Sequence, residues 1–139
     1  MLMLSLMAGS ALAETPSAEQ VLAPAKTKAA AEQKAIFVHF GASWCGWCKK
    51  LDAETFSKSE FTGYARKNLV LVEVDFPAQK PQSAELKAAN KALQEKYRVS
   101  GYPSLVVLKP DGTVVWNQVG YLAGGPEAMI AKLDEAKRK

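Results

Sequence analysis

The sequence predicts an α/β domain built as a three-layer sandwich, a central mixed sheet with helices on both faces. Three observations predict it. Two continuous apolar runs, "AIFVHF" at 35–40 and "NLVLVEVDF" at 68–76, have the β-branched and aromatic content of buried strands. A stretch with helical spacing lies between the two runs, and another lies after the second. Finally, "SLVVLKPDGTVVWNQVG" at 104–120 sets two apolar runs around Pro110-Asp111-Gly112, which signals a β-hairpin. Strands separated by helices imply parallel pairing through right-handed crossovers, and the hairpin adds an antiparallel strand.

Each element has its own warrant. Residues 14–23 read as a flexible lead, and a short helix is expected from Pro24 to Gln33, with Pro24 near its first turn. The first strand follows at once, and Gly41 to Trp44 turn out of it. From Cys45, "CGWCKKLDAETF" has helical periodicity that brings Cys48, Leu51 and Thr55 to one side. "SKSEFTGYARK" reads as a second helical piece, capped by Ser57 or Ser59. After the second strand a proline-containing loop becomes a helix near Ser83, with Ala84, Leu86, Ala89, Leu93 and Tyr97 forming its apolar face. The hairpin is followed by a closing helix, "GGPEAMIAKLDEAKRK", with Pro126 at its start and basic residues in its last turn.

Composition narrows the function classes. The chain has 139 residues, enough for one domain with a single core, and 48% apolar with 23% charged residues is ordinary for a globular protein. The net charge of +4 is spread along the chain, without a basic run or a base-stacking aromatic motif. Nucleic acid is therefore not the expected partner. The first thirteen residues, "MLMLSLMAGSALA", are uncharged and end in the A-x-A pattern of signal-peptidase sites, with polar "ETPSAEQ" next. They are too short to span a bilayer. They lack the basic residue with which a secretory signal opens, and a buried strand or a frayed apolar end is the other reading. The abrupt change at Glu14 favours an export signal at 1–13, which places the mature chain in a periplasm or outside the cell, where disulfides persist.

Both cysteines, Cys45 and Cys48, lie within "SWCGWCKK". A disulfide closing so small a loop restrains the unfolded chain little, so the pair favours chemistry over stapling. Structural zinc needs four ligands, and the chain offers two cysteines and one histidine. Capture of soft copper by the two thiols is the rival reading, although Met129 is the one methionine beyond the leader. A non-catalytic binding module is a further alternative. Cys45 falls where a strand ends and a helix begins, and the unpaired N–H groups there stabilise a thiolate. Cys45 is then the nucleophile that forms a mixed disulfide, and Cys48, one turn inward and expected to be more buried, is the thiol that resolves it. Trp44 reads either as a flat contact for a partner or as packing at a strand end. Trp47, between the cysteines, is expected to be exposed, and Lys49 and Lys50 to form a solvated helix face.

"FGASWCGWCKK" after "AIFVHF", with "VSGYPSLVVLKPDGTVV" further on, resembles the thioredoxin superfamily, in particular secreted bacterial members with a W-C-G-W-C-K site. The resemblance covers residues 24–139 and implies a thioredoxin-like domain there. It implies that Pro103, in Gly101-Tyr102-Pro103-Ser104, is a cis-proline lying against the cysteines, with Tyr102 and Pro103 contacting substrate; proline is the residue that takes a cis bond at little cost. Two positions depart from the family. Gly46-Trp47 stands where many members have Gly-Pro. His39 stands where thioredoxins carry a buried aspartate that takes the proton of the second cysteine, and Glu73 and Asp75 occupy the second strand in place of the lysine that partners it. His39 thus reads as a proton-exchange partner of Cys48 or, as most lone strand histidines do, as a packed core residue. The resemblance implies a monomeric thiol–disulfide oxidoreductase that uses no cofactor and acts on protein disulfides or dithiols. Reductase is the expected direction, because no appended dimerisation segment of the kind isomerases use is visible. A reductase in an oxidising compartment implies a membrane electron donor.

Overall fold

The computed structural model describes residues 15–77 and 81–139; the expected export signal at 1–13 lies outside the described residues. The elements are α1 (Ala18–Glu32), β1 (Ala35–Gly41), α2 (Gly46–Leu51), a π-helical turn (Asp52–Phe56), α3 (Ser59–Asn68), β2 (Leu69–Asp75), α4 (Ala84–Lys96), β3 (Ser104–Leu108), β4 (Val114–Val119) and α5 (Gly125–Lys137). The four strands form one mixed sheet in the order β2-β1-β3-β4. β1 pairs parallel with β2, and antiparallel with β3, which pairs antiparallel with β4.

Strand β1 organises the layers. Its side chains alternate between faces, as a period of two requires. Ile36, Val38 and Phe40 pack with Leu22 and Ala29 of α1 and Leu93 of α4. Ala35 and Phe37 pack on the other face with Leu51, Phe61 and Ala65, and with Met129, Leu133 and Ala136 of α5. Helices therefore cover both faces, as expected.

Helix α1 differs from the expected flexible lead and short helix. It begins at Ala18, six residues before Pro24, so only the first few described residues of 14–23 precede a helix. The reason is a capping box. The Ser17 hydroxyl accepts from the Gln20 N–H at 3.2 Å, and the Gln20 side chain accepts from the Ser17 N–H at 2.8 Å. This cap and the full burial of Leu22 hold the first turns, so Pro24 sits inside the helix, where a missing N–H costs about 3 kcal/mol.

Three further differences bear on the site. β3 is antiparallel to β1 although a helix precedes it. The chain leaves β2 at Asp75, and Asn90 in the middle of α4 donates to the Asp75 carbonyl at 2.9 Å. α4 thus returns the chain to the same end of the sheet, and β3 starts with Ser104 opposite Phe40. β2 is an edge strand among the described residues, with Leu71 47% exposed, because a continuous apolar run does not distinguish an edge from a centre. On α4, Leu86 is also exposed while Asn90 is buried, so the apolar face is narrower than its leucines imply. Ser83 caps α4 by accepting from the Leu86 N–H, whereas α3 starts after Lys58 with neither Ser57 nor Ser59 as its cap.

If the capping box holds the first turn of α1, Ser17→Ala will lower the unfolding free energy by about 1 kcal/mol. Urea unfolding followed by circular dichroism measures this, and an unchanged midpoint would mean that the domain does not depend on residues before Pro24.

Candidate active site

The site lies at the end of the sheet where β1 finishes. Gly41 closes the strand, and the Cys45 N–H donates to the Ala42 carbonyl at 3.1 Å, which forms the turn into α2. Cys45 is the N-cap of α2, and its Sγ accepts from the Cys48 N–H at 3.2 Å. One of the helix's unpaired N–H groups is thereby aimed at the sulfur. The Cys45 thiol also donates to the Tyr102 carbonyl at 3.6 Å. Both cysteines are free thiols, so this is the dithiol form.

The expected contrast in exposure is slight: Cys45 is 7% and Cys48 4% exposed. The contrast lies in electrostatics. Burial pushes the Cys48 thiol up to about 12, and its hydrogen bond with Cys45 and the charges of Cys45 and Asp52 act the same way. The Ala42 backbone acts in the opposite sense. Cys48 is therefore held neutral, and it packs with Cys45 and Ala42 against Phe76 and Tyr102.

The Tyr102–Pro103 peptide is cis. The Pro103 carbonyl accepts from the Gly120 N–H at 2.8 Å, and Gln94 donates to the Tyr102 hydroxyl at 2.8 Å, so this loop is held from two sides. Trp44 and Trp47 are each 58% exposed and flank the pair. The Trp44 indole N–H donates to the Phe76 carbonyl at 3.0 Å, and its ring meets Tyr102 edge-on at 5.7 Å. Trp47 faces Tyr121 at 5.5 Å. Lys50 lies over both rings, 5.4 Å from Trp47 and 4.9 Å from Tyr121, so it is not merely a solvated residue. Tyr121 was not foreseen. It follows β4 at Gly120 with no motif to mark it, and only the hairpin's return brings it to α2.

His39 is buried on the α2 side of β1, against Phe56 at 4.8 Å, with Nδ1 3.0 Å from Glu73 Oε2. His39, Cys48, Asp52 and Glu73 line one cavity of about 350 Å³ behind the cysteine pair. Asp52, in the π-helical turn that continues α2, was also missed, since a π turn has no sequence signature as plain as a cap. Its carboxyl is raised by burial and by the charge of Glu73, against the opposing pull of His39. Asp75 lines the same cavity, while its carbonyl accepts from Asn90 and Gln82. Among the described residues, no group of three or more His, Cys, Asp or Glu is arranged to hold a metal ion.

The raised Cys48 value fixes a pH dependence. The folded state favours the neutral thiol, so this contribution to stability is complete below the ordinary value of 9.0 and is lost as pH rises through about 12. Between pH 9 and 12 the wild-type protein will lose more unfolding free energy than Cys48→Ala. Urea midpoints measured at both ends of that window test this, and equal losses would contradict it.

Comparison with known proteins places this geometry in a family. Residues 22–137 match the model of the thioredoxin-like domain. Disulfide bond reductase DsbH of Chlamydia pneumoniae is 35% identical over 106 residues, which cover 76% of this chain and 63% of that protein. Thioredoxin-related protein DsbJ of the same organism is 24% identical over 115 residues, covering 78% of this chain and 33% of its own length. The chain thus spans less than two thirds of either relative. A solved DsbH oxidoreductase superposes with a TM-score of 0.78 at 29% identity, over 99% of this chain and 93% of that one. The reduced C-terminal domain of Neisseria meningitidis DsbD superposes with a TM-score of 0.60 at 24% identity, over 83% of this chain and 93% of that one, and shares the fold. With Cys45 capping α2, the cis peptide beside it and the family model matched over nearly all of the described chain, this protein belongs to the thioredoxin-like family.

Proposed function

We propose that this chain is a thiol–disulfide oxidoreductase of an exported compartment that exchanges its Cys45–Cys48 dithiol with protein disulfides, acting as a reductase. One observation carries the reading: Cys45 Sγ sits between the Cys48 N–H and the Tyr102 carbonyl, at 3.2 and 3.6 Å, with a second thiol one helical turn behind it. A thiolate at Cys45 keeps the N–H bond, and a partner sulfur approaching it meets the Tyr102–Pro103 backbone with the Trp44 ring on one side and the Trp47 ring on the other. Cys45 attacks a substrate disulfide, and Cys48 then attacks Cys45 and frees the reduced substrate. Trp44, Trp47, Tyr102 and Pro103 form the contact surface for the substrate chain.

The reductase direction is supported by the name of the DsbH relative, a disulfide bond reductase. Relatives named protein disulfide-isomerase match over a fifth or less of their own length. In an oxidising compartment the spent disulfide must be recharged by an electron donor at the membrane. Among the described residues, no helix is long and apolar enough to cross one.

Insulin reduction driven by an external dithiol is the direct assay. Cys45→Ser will abolish turnover, and Cys48→Ser will accumulate a mixed disulfide on Cys45, visible by mass. Turnover retained in Cys45→Ser would overturn the assignment. The Cys45–Cys48 potential decides direction: a value near the thioredoxin figure of about −270 mV supports the reductase, and one near about −120 mV, as for DsbA, would make the chain an oxidant.

A further inference from the structure

The two sides of the cysteine pair differ in charge. One side is built of Trp44, Phe76 and Tyr102, none of which is charged. The other is Trp47 and Tyr121, with Lys50 Nζ 5.4 and 4.9 Å from the centres of their rings. Helical spacing would give Lys50 a different partner: Glu54 lies four residues on, where opposite charges pair across one turn. Glu54 is bonded to the Tyr121 hydroxyl instead, and the π-helical turn that opens at Asp52 separates it from Lys50. Among the described residues Lys50 pairs with no carboxylate, so its ammonium protons are free for an acceptor. Lys49, its neighbour, lines the cavity behind the pair. The cation is also tied to the reacting end of the sheet. Trp47 lies between the cysteines, and Gly120, with φ of +90°, turns the chain out of β4 so that Tyr121 faces Trp47. The Gly120 N–H meanwhile donates to the Pro103 carbonyl at 2.8 Å.

We propose that Lys50 is a specificity-determining residue: over Trp47 and Tyr121, its ammonium selects protein disulfides in which an aspartate or glutamate stands beside the cysteine that Cys45 attacks. This deepens the reading above and rests on its assignment of Cys45. The recognition is a charge-assisted hydrogen bond from Nζ to the substrate carboxylate. Trp47 and Tyr121 shield the ammonium from water on the side they face, so it is screened less than an ordinary surface lysine. A carboxylate in the substrate satisfies it, whereas a lysine there meets like charge. The occupant is a segment of a protein rather than a small disulfide. A chain running past Cys45 covers the uncharged side at the same time, where Phe76 and Tyr102 pack against the cysteines. Selection therefore has a direction. The acidic residue belongs on the Trp47 side of the substrate cysteine, and an apolar one on the Trp44 side.

Short peptides blocked at both ends, each with one cysteine activated as a 2-thiopyridyl disulfide, measure this selection in stopped flow. Attack by Cys45 on the peptide sulfur forms the mixed disulfide and releases thiopyridone. Aspartate or lysine is placed on one flank of the peptide cysteine or on the other, and the ratio of the aspartate rate to the lysine rate is taken for each protein. Comparing that ratio between wild type and variant cancels the peptide's own reactivity and any change in that of Cys45. Lys50→Gln is expected to lower the ratio about fivefold for one flank and to change it little for the other. Lys50→Glu will reverse the preference on the sensitive flank. Lys49→Gln, which removes the same charge from the next residue, will keep the wild-type ratio. Equal ratios in wild type and Lys50→Gln overturn the proposal. So does an equal fall on both flanks, or in Lys49→Gln, since either marks a general attraction to a basic protein. Dithiodipropionate probes the small-disulfide source: a Lys50-dependent rate confined to it, with unchanged peptide ratios, would also overturn the proposal. Failure of the underlying reading shows separately, as thiopyridone release that survives in Cys45→Ser.

Discussion

The site depends on the confinement of β1. This strand is bordered by β2 and β3 and covered by helices on both faces, and every residue from Ala35 to Phe40 is buried. A strand held on four sides has no freedom in register, because a one-residue slip would move its whole apolar set to the wrong face. Its alternation puts Ile36, Val38 and Phe40 towards α1 and α4, and Phe37 and His39 towards α2 and α3. Its last residue fixes where the chain turns into Cys45. The cysteine pair is thus attached to the most constrained element of the fold, as a group needing defined geometry requires.

Within that frame the two sulfurs differ by their partners more than by their access to solvent. Cys45 faces a helix N–H and the Tyr102 carbonyl, while Cys48 is enclosed by apolar neighbours and the charges of Cys45 and Asp52. The rim adds a second contrast. One side is a cross-braced aromatic pair, Trp44 on Tyr102, and the other is Trp47 and Tyr121 gathered under Lys50. Both exposed indoles are anchored rather than free, Trp44 by its N–H to the Phe76 carbonyl and Trp47 by Tyr121 and Lys50.

Much of the site was legible because its signals are local. The phase of Cys48, Leu51 and Thr55 follows from helical spacing, and all three are buried on one side as that spacing requires. The hairpin turn was legible too: Asp111 accepts from the Thr113 N–H at 2.8 Å, and Gly112 takes the positive φ that closes it. What failed had competing readings of equal local merit. Pro24 marks either a helix start or an interior break, and the capping box that opens at Ser17 decided for the second. Leu86 is exposed although expected on the apolar face, and Asn90 is buried because the Asp75 carbonyl at the end of β2 needs a donor and Asn90 supplies it.

The sequence by itself determined the α/β class, the strand-to-helix placement of Cys45 and Cys48, and the family, since each is carried by short local patterns and by their order along the chain, which are legible without knowing which of them meet. The tertiary structure alone decided which distant residues meet there. The return of α4 to the Asp75 end makes β3 antiparallel to β1 and so lays Tyr102 and Pro103 against Cys45, 57 positions away. Parallel register between β1 and β2 sets Glu73 beside His39, and the hairpin carries Tyr121 to Trp47. These contacts depend on chain direction and strand register. Both are set by how whole elements bury their faces against one another, and no short window of sequence contains that information.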